Sequence, residues 1–426
     1  MAVPCVRARR EFTMQSLLLF VFLWVAIGTI VIGWINRGAL TAFWREPVLK
    51  HPVLIIESDD WGAGPPEQAD RLERIANVLS SHADRLGQKP VMTLGLVLGV
   101  ADGPRILADG LRHYYCKSLD HPEFGSTLAA IRRGAESGVF TLQLHGGEHY
   151  WPPALLVAAR NASSVRAWLS STGVPRTEML PAALQSRWID ATELPSKPLS
   201  PDEIRAAVLG ETAQFRNVFG RVPIVAVPPT FIWNDVVETS WAEAGIQFVV
   251  TPGRRYEARD SDGEPAAAAG PIANGDRGAG GIMYLTRDDY FEPARGHQAE
   301  RALAALARKT RAGRPTLLEM HRANYLGDAK VADAAIKELD RLLALALKGF
   351  PDVQFLSTEE LALSLRRKDL RLVERRLTMR LHVWLRRLWG VSRLRKLACL
   401  TGVIVPAWLV YLSTWRRTGA PRSSNG

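Results

Sequence analysis

Three short stretches carry side chains that could do chemistry together. The first, Val53-Leu54-Ile55-Ile56-Glu57-Ser58-Asp59-Asp60-Trp61-Gly62, is an apolar, β-branched run that stops in two adjacent carboxylates and a glycine. Neighbouring carboxylates repel, so Asp59 and Asp60 call for a cation or a shared proton. An Asp-Asp turn capping a helix is the plainer alternative. The second runs from Val139 through Leu144-His145-Gly146-Gly147-Glu148-His149 into Pro152-Pro153. On a helix, H-x-x-E-H spacing would set both imidazoles on one face with the glutamate as base. Two glycines between the histidines and two prolines after them oppose a helix. The pair reads instead as a loop at a strand end, where the glycines let both imidazoles converge. Two imidazoles and one carboxylate, with positions open to water, form a recurrent catalytic metal shell; two structural surface histidines are the alternative. The third stretch, Thr316-Leu317-Leu318-Glu319-Met320-His321-Arg322-Ala323-Asn324-Tyr325, ends an apolar strand in a histidine followed by a basic and an amide side chain. One such histidine is more often structural than catalytic. Three strand ends carrying Asp-Asp, His-x-x-x-His and His shift that balance.

Those strand ends belong to a longer alternation. Strands are predicted at Val53–Glu57, Val91–Leu98, Val139–Leu144, Ile224–Val227, Ile246–Thr251, Ile282–Leu285, Thr316–Met320 and Val353–Leu356. Between them lie amphipathic stretches at Pro66–Ser81, Pro122–Ser137, Pro201–Phe219, Asp235–Ala244, His297–Ala312 and Ala329–Leu347. Pro201-Asp202-Glu203 marks a helix start. Alternating β and α segments predict an α/β fold with a mainly parallel sheet, open or closed into a barrel, and ligands at the C-terminal strand ends. Ala258–Gly280, rich in Gly, Ala and Asp, is expected to be a flexible loop, and Trp151–Pro198 is an insertion without an assigned structure.

The two ends differ from the middle. The 426 residues carry a net charge of +11, yet residues 51–365 sum to −6, whereas residues 1–50 sum to +4 and 366–426 to +13. That distribution argues against nucleic acid and for a membrane surface facing the ends. Leu17 to Ile35 is free of charge; as a helix it reaches about 28 Å, enough for a bilayer core. It is longer than a usual signal-peptide core and no small-x-small site follows, which favours an uncleaved anchor. Residues 366–396 pack 12 Lys/Arg among leucines and tryptophans, as a basic amphipathic helix lying on anionic lipid would; a partner-docking or coiled segment is the alternative. Leu397–Trp415 is again free of charge and reads as a second transmembrane segment, weakened by Gly402 and Pro406. The expected organisation is therefore a tail at 1–16, an anchor at 17–35, a catalytic domain at 51–365, the basic segment at 366–396 and a second span at 397–415. Cys5, Cys116 and Cys399 cannot form a disulfide framework, and no particular protein partner is indicated.

The order Asp-Asp, His-x-x-x-His, a proline-rich motif and a strand-end histidine resembles the polysaccharide deacetylases of carbohydrate esterase family 4, over about residues 51–360. The forms Glu-Ser-Asp-Asp-Trp-Gly, His-Gly-x-Glu-His, Trp-Asn-Asp and His-Arg-x-Asn-Tyr look like a divergent branch of it. The resemblance implies a distorted parallel (β/α) barrel, flanked here by transmembrane segments, with Asp59 as general base, His321 as general acid and Asp60, His145 and His149 holding a divalent metal, zinc above all. In Ala226-Val227-Pro228-Pro229-Thr230-Phe231 it implies an oxyanion donor near Thr230. Two departures stand out: Val227 replaces the family's arginine, and its Asp-x-x-Asp-Trp motif is missing after Phe248-Val249-Val250-Thr251. Arg322 is a candidate for the missing positive charge, and with Asn324 it joins Thr230 as an oxyanion or substrate-binding candidate. The implied activity is removal of N-acetyl groups from a polysaccharide or lipid-linked glycan. Alternatives are a deformylase or other C–N hydrolase on a lipid-linked aminosugar, a membrane glycosyltransferase using Asp-Asp for a metal–nucleotide sugar, and a non-catalytic glycan-binding protein. A glycosyltransferase would leave His145, His149 and His321 without work. On sidedness, basic residues around the second span favour the cytoplasm, whereas the resemblance implies an extracytoplasmic domain at the cell membrane; the second expectation is the one adopted.

Overall fold

The computed structural model describes residues 14–267 and 270–418. Cys5, Arg7, Arg9, Arg10 and the first thirteen residues of the expected tail lie outside them, as do Ala268 and Ala269 of the predicted loop. The chain divides into a central unit, Leu49–Val373, and a terminal unit formed by the segments before and after it.

The central unit is built on one nine-stranded sheet. Its strands are β1 (Val53–Gly62), β2 (Met92–Val97), β3 (Phe140–Leu144), β4 (Val225–Ala226), β5 (Phe248–Thr251), β6 (Met283–Thr286), β7 (Asp289–Tyr290), β8 (Thr316–His321) and β9 (Gln354–Phe355). The order is β6-β5-β4-β3-β2-β1-β8-β7, with β9 pairing the start of β1. Every pairing is parallel. β6 and β7 form the two edges, yet only Arg287 and Asp288 separate them along the chain. A connection that short spans at most about 11 Å. The sheet must therefore curl until its edges nearly meet, giving an incompletely closed barrel whose gap the chain itself bridges. Each predicted strand has its counterpart here; β7, two residues long, gave no run for periodicity to detect.

Alternation sorts the side chains into two cores. Outward-facing Leu54, Ile56, Leu94, Leu142 and Leu318 pack against surrounding helices, among them Gln68–Ser80, Gly125–Glu136, Pro201–Phe219, Ala299–Arg311 and Ala329–Gly349. The longest-signalled of these starts at a Ser200–Glu203 capping box with Pro201 next, and stops at Gly220, whose φ of 71° suits glycine. Inward-facing Val53, Ile55, Val225, Val227, Phe248, Val250, Met283, Leu285 and Leu317 form the second core. A helix absent from the sequence prediction, Thr358–Arg367, fills that interior with Leu361, Ala362 and Leu365. Its Ser357–Glu360 capping box fixes the start, and Arg366 and Arg367 sit in the last turn, where the helix dipole favours them. For this reason the central unit extends past residue 365, and the basic segment's first residues belong to it.

The Trp151–Pro198 insertion folds into helices Pro152–Asn161 and Ser163–Leu169 around its own cluster of Tyr150, Leu155, Val165, Trp168 and Leu184. Within the predicted Ala258–Gly280 loop, Pro265–Ala267 pairs with Tyr256–Arg259 as a short ribbon. The terminal unit comprises α1 (Met14–Ile35), α2 (Arg37–Arg45), α3 (Leu377–Trp389), α4 (Ser392–Leu400) and α5 (Ile404–Thr418). Of the described helices α1 alone is long and apolar enough to cross a membrane unbroken. The predicted second span is divided between α4 and α5, which meet at 114°.

Candidate metal centre

Two adjacent strand residues ordinarily point to opposite faces. β1 escapes that rule through a bulge: its register with β2 shifts between Ser58 and Trp61, and Asp60 takes a left-handed φ of 73°. The bulge re-aims Asp60, so both carboxylates enter the barrel, while Trp61 turns away and donates Nε1–H to Ser58 Oγ at 2.8 Å. A non-glycine residue in this conformation is strained, and such strain persists where packing over-determines it; here Asp59 and Asp60 are both buried.

β3 delivers His145 and His149 opposite them. Gly146, at φ 110°, bends the chain, and the Gly147 N–H is tied to Glu211 Oε2 at 2.9 Å. Glu148 points the other way, to Arg187 at 2.8 Å, so it is a strut of the loop and not a base. His145 Nδ1 bonds the Val227 carbonyl at 2.9 Å, which leaves Nε2 facing Asp60. Nε2 of His145 and Nε2 of His149 each lie 3.4 Å from Asp60 Oδ1. In a tetrahedral shell with bonds of about 2.0–2.1 Å, ligand atoms sit about 3.3–3.4 Å apart. Among the described residues Asp60 Oδ1 is moreover buried with no hydrogen-bond partner, a costly state that a cation removes. The donor set and its spacing fit a divalent metal ion. Burial would raise the Asp60 carboxyl, but the facing imidazoles of His149 and His145 hold it well below its ordinary value. Burial pushes His149 down to about 4, the neutral form a metal requires.

Asp59 faces the same space from a different set of contacts. Its Oδ2 accepts from Arg287 Nη2 at 2.6 Å, and the same guanidinium reaches Glu57 Oε2 at 2.6 Å and Glu319 Oε2 at 3.3 Å. All four side chains are buried. One cation does not neutralise three carboxylates, and the environment divides them. Burial raises Glu57 and Glu319, whereas at Asp59 burial is outweighed by Arg287 and His145 and the carboxyl is lowered. Asp59 Oδ1 has no hydrogen-bond partner among the described residues. A Cβ at Gly95 would lie 2.2 Å from that oxygen, so β2 needs glycine there for the carboxylate to fit. Arg287 thus holds the place for which Arg322 was a candidate. Its signal was parity: it follows Leu285 by two, just past the end of β6, and faces inward.

His321 sits beside Asp59 in the β1–β8 register. Its Nδ1 bonds Glu292 Oε1 at 2.6 Å, and about a third of the side chain (34%) remains accessible. Burial works against protonation, but the Glu292 hydrogen bond and the charges of Asp60, Glu292 and Asp59 raise the imidazole to about 10. Glu292 lay outside every motif read from the sequence. Asn324, expected at the substrate, is buried and committed: its Nδ2 donates to Glu292 and to the His321 carbonyl, and its Oδ1 accepts from Ala294 N. Arg322 is likewise buried and forked onto Glu178 at 2.9 and 3.2 Å, with no ion pair to Asp59 among the described residues. Thr230, at φ 54°, lies in the turn after Val227 and bonds Ser186 through its hydroxyl at 2.8 Å.

No family model matches the chain, and no curated protein does. Solved structures do resemble it. A Mycobacterium smegmatis protein described as a polysaccharide deacetylase aligns at 15% identity and a TM-score of 0.39, over 75% of this chain and 91% of that one. The peptidoglycan deacetylase PdaC from Bacillus subtilis aligns at 12% and 0.34, over 75% and 94%. A CE4 family pseudoenzyme from Bacillus anthracis aligns at 12% and 0.34, over 74% and 66%.

Zinc titration of the purified protein should give one tight site per chain. His149→Ala should weaken it by more than about 100-fold, since even outer partners of a metal site contribute 10–100-fold. Asp59→Asn should leave it in place. Unchanged zinc affinity in a folded His149→Ala variant would remove this site from consideration.

Proposed function

We propose that this chain is a metal-dependent hydrolase that removes N-acetyl groups from a polysaccharide or lipid-linked glycan, with zinc as the ion and α1 as its membrane anchor. The observation that carries the reading is a pair of opposed groups beside the Asp60–His145–His149 set. Asp59 is held ionised by Arg287, and His321 is held protonated by Glu292. An acid and a base kept in opposite protonation states are what hydrolysis of an unreactive amide needs.

A divalent ion bound there would supply Lewis acidity to an acyl oxygen and to a water. Asp59 accepts the water's proton at Oδ1, the oxygen that Arg287 does not occupy. With Nδ1 engaged by Glu292, His321 presents Nε2–H to the departing nitrogen. The turn at Thr230 is the candidate donor to the developing oxyanion. The sugar assignment rests on the sequence motifs. Deformylation of a lipid-linked aminosugar would use the same groups and differs only in the acyl pocket.

Purified protein with zinc should release free amine from an N-acetylated chitooligosaccharide and no nucleotide from a nucleotide sugar. N-formyl and N-acetyl substrates, run side by side, separate deacetylase from deformylase. Asp59→Asn should lower turnover about 10²–10⁴-fold with the zinc retained. Loss of the metal along with activity would make Asp59 a ligand instead of the base.

A pH profile tests the acid. His321 must be protonated to act, and Glu292 raises its pKa, so activity should fall on the alkaline side as His321 loses its proton. Glu292→Gln removes the raising charge and should move that alkaline limb to lower pH. An alkaline limb that stays in place would exclude His321 as the titrating acid.

A further inference from the structure

We infer that the C-terminal apolar stretch does not cross the membrane but dips into one phospholipid leaflet as a re-entrant hairpin, returning to the side that holds residues 49–373. The inference rests on α1 as a span. Length is the first constraint. α5 has 15 residues, about 22 Å as a helix, short of a hydrocarbon core of about 30 Å. α4 cannot supply the rest. Its Arg393, Arg395 and Lys396 are exposed, leaving Leu397 to Leu400 as its apolar end. The bend of 114° at Thr401–Val403 turns the chain back.

Depth follows from what the elbow touches. A Cβ at Gly28 of α1 would lie 2.6 Å from Thr401 Cβ, and one at Gly402 would lie 3.1 Å from Val25 Cγ2. Gly28 precedes the end of α1, Ile35, by seven residues, about 10 Å along the axis. An elbow at that depth stays within one leaflet. Its irregular backbone is packed on α1, the condition under which such backbone is tolerated in hydrocarbon. Beside it Leu400, Val405, Trp408 and Leu409 are more than half exposed, an apolar surface suited to acyl chains.

The return is fixed by α3. Tyr411 of α5 stacks on His382 at 4.3 Å between ring centroids and accepts from Arg386 at 3.1 Å, while Thr414 Oγ1 lies 3.3 Å from His382 Nδ1. α3 is in turn bound to α2, through Trp384 to the Leu40 carbonyl at 3.0 Å and Arg387 to the Phe43 carbonyl at 3.1 Å, and Arg387 also reaches the Pro47 carbonyl just past α2 at 2.8 Å. α2 begins one residue beyond α1. The end of α5 is thus held at the level where α1 leaves the membrane towards the central unit.

Single cysteines in a chain with Cys5, Cys116 and Cys399 replaced by serine test this. Ala2→Cys, Asp262→Cys and Ser423→Cys are labelled with an impermeant maleimide in intact and in permeabilised cells. Positions 262 and 423 should react together, and position 2 from the opposite side. Position 423 reacting with position 2 would show a second full span and overturn the hairpin. Positions 2 and 262 on one side would overturn the anchor reading, and the hairpin with it. A fluorophore on Val405→Cys, in vesicles of brominated phospholipid, should be quenched. An unquenched probe would place the elbow outside the leaflet and sink the proposal.

Discussion

The guanidinium of Arg287 lies within 2.6–3.3 Å of three buried carboxylates, on Glu57, Asp59 and Glu319. Much of the central unit depends on that contact. Arg287 belongs to the two-residue link that carries the chain from one edge of the sheet to the other. Its side chain therefore pins the gap of the barrel from inside while neutralising β1 and β8. Removing one partner of a buried ion pair typically costs about 3–5 kcal/mol, because the remaining charge stays buried. Here the cation serves three anions, and Thr358 Oγ1 closes the group by donating to Glu57. The helix that plugs the barrel is thereby joined to the same network.

The interior is consequently layered. Aliphatic side chains fill the lower part, the Arg287 cluster lies above them, and Asp60, His145, His149 and His321 crown it at the C-terminal strand ends. The order has a chemical consequence. Arg287, with the nearby imidazoles, lowers Asp59, while burial leaves Glu57 and Glu319 raised, so the negative charge is favoured on Asp59, whose Oδ1 has no hydrogen-bond partner among the described residues. On the other flank Glu292 does the converse for His321. Asp59 and His321 are thus set by Arg287 and Glu292, which have no hydrogen bond or ion pair to Asp60, His145 or His149, or to each other, among the described residues.

Much of this was legible in the sequence, and what was not has physical causes. β1, β3 and β8 announce themselves because strands buried on both faces must be apolar and β-branched. Glu57 and Glu319 were also signals, since a carboxylate inside such a strand demands a buried cation, and the two face each other in register. Which cation answers them depends on the curling of the sheet, a long-range property; Arg322 is nearer to His321 in sequence but is taken by Glu178. The bulge at Asp60 was hidden because alternation alone would send that side chain outward. Glu292 gave no signal, since its partner His321 lies 29 residues on. At the C-terminus, charge and hydropathy register an apolar stretch but not the 114° break within it.

We propose that Arg287 keeps Asp59 ionised for proton transfer beside Asp60, His145 and His149. It is tested most directly in a background where Glu57→Gln and Glu319→Gln leave Asp59 as the one carboxylate of the cluster. There the acidic limb of kcat/KM against pH is compared with and without Arg287→Met, at full zinc occupancy. Removing the cation raises the Asp59 pKa, so activity should be lost at a higher pH on acidification, by about one unit or more, while zinc stays bound. An acidic limb that does not move, in a folded and zinc-loaded variant, would contradict it.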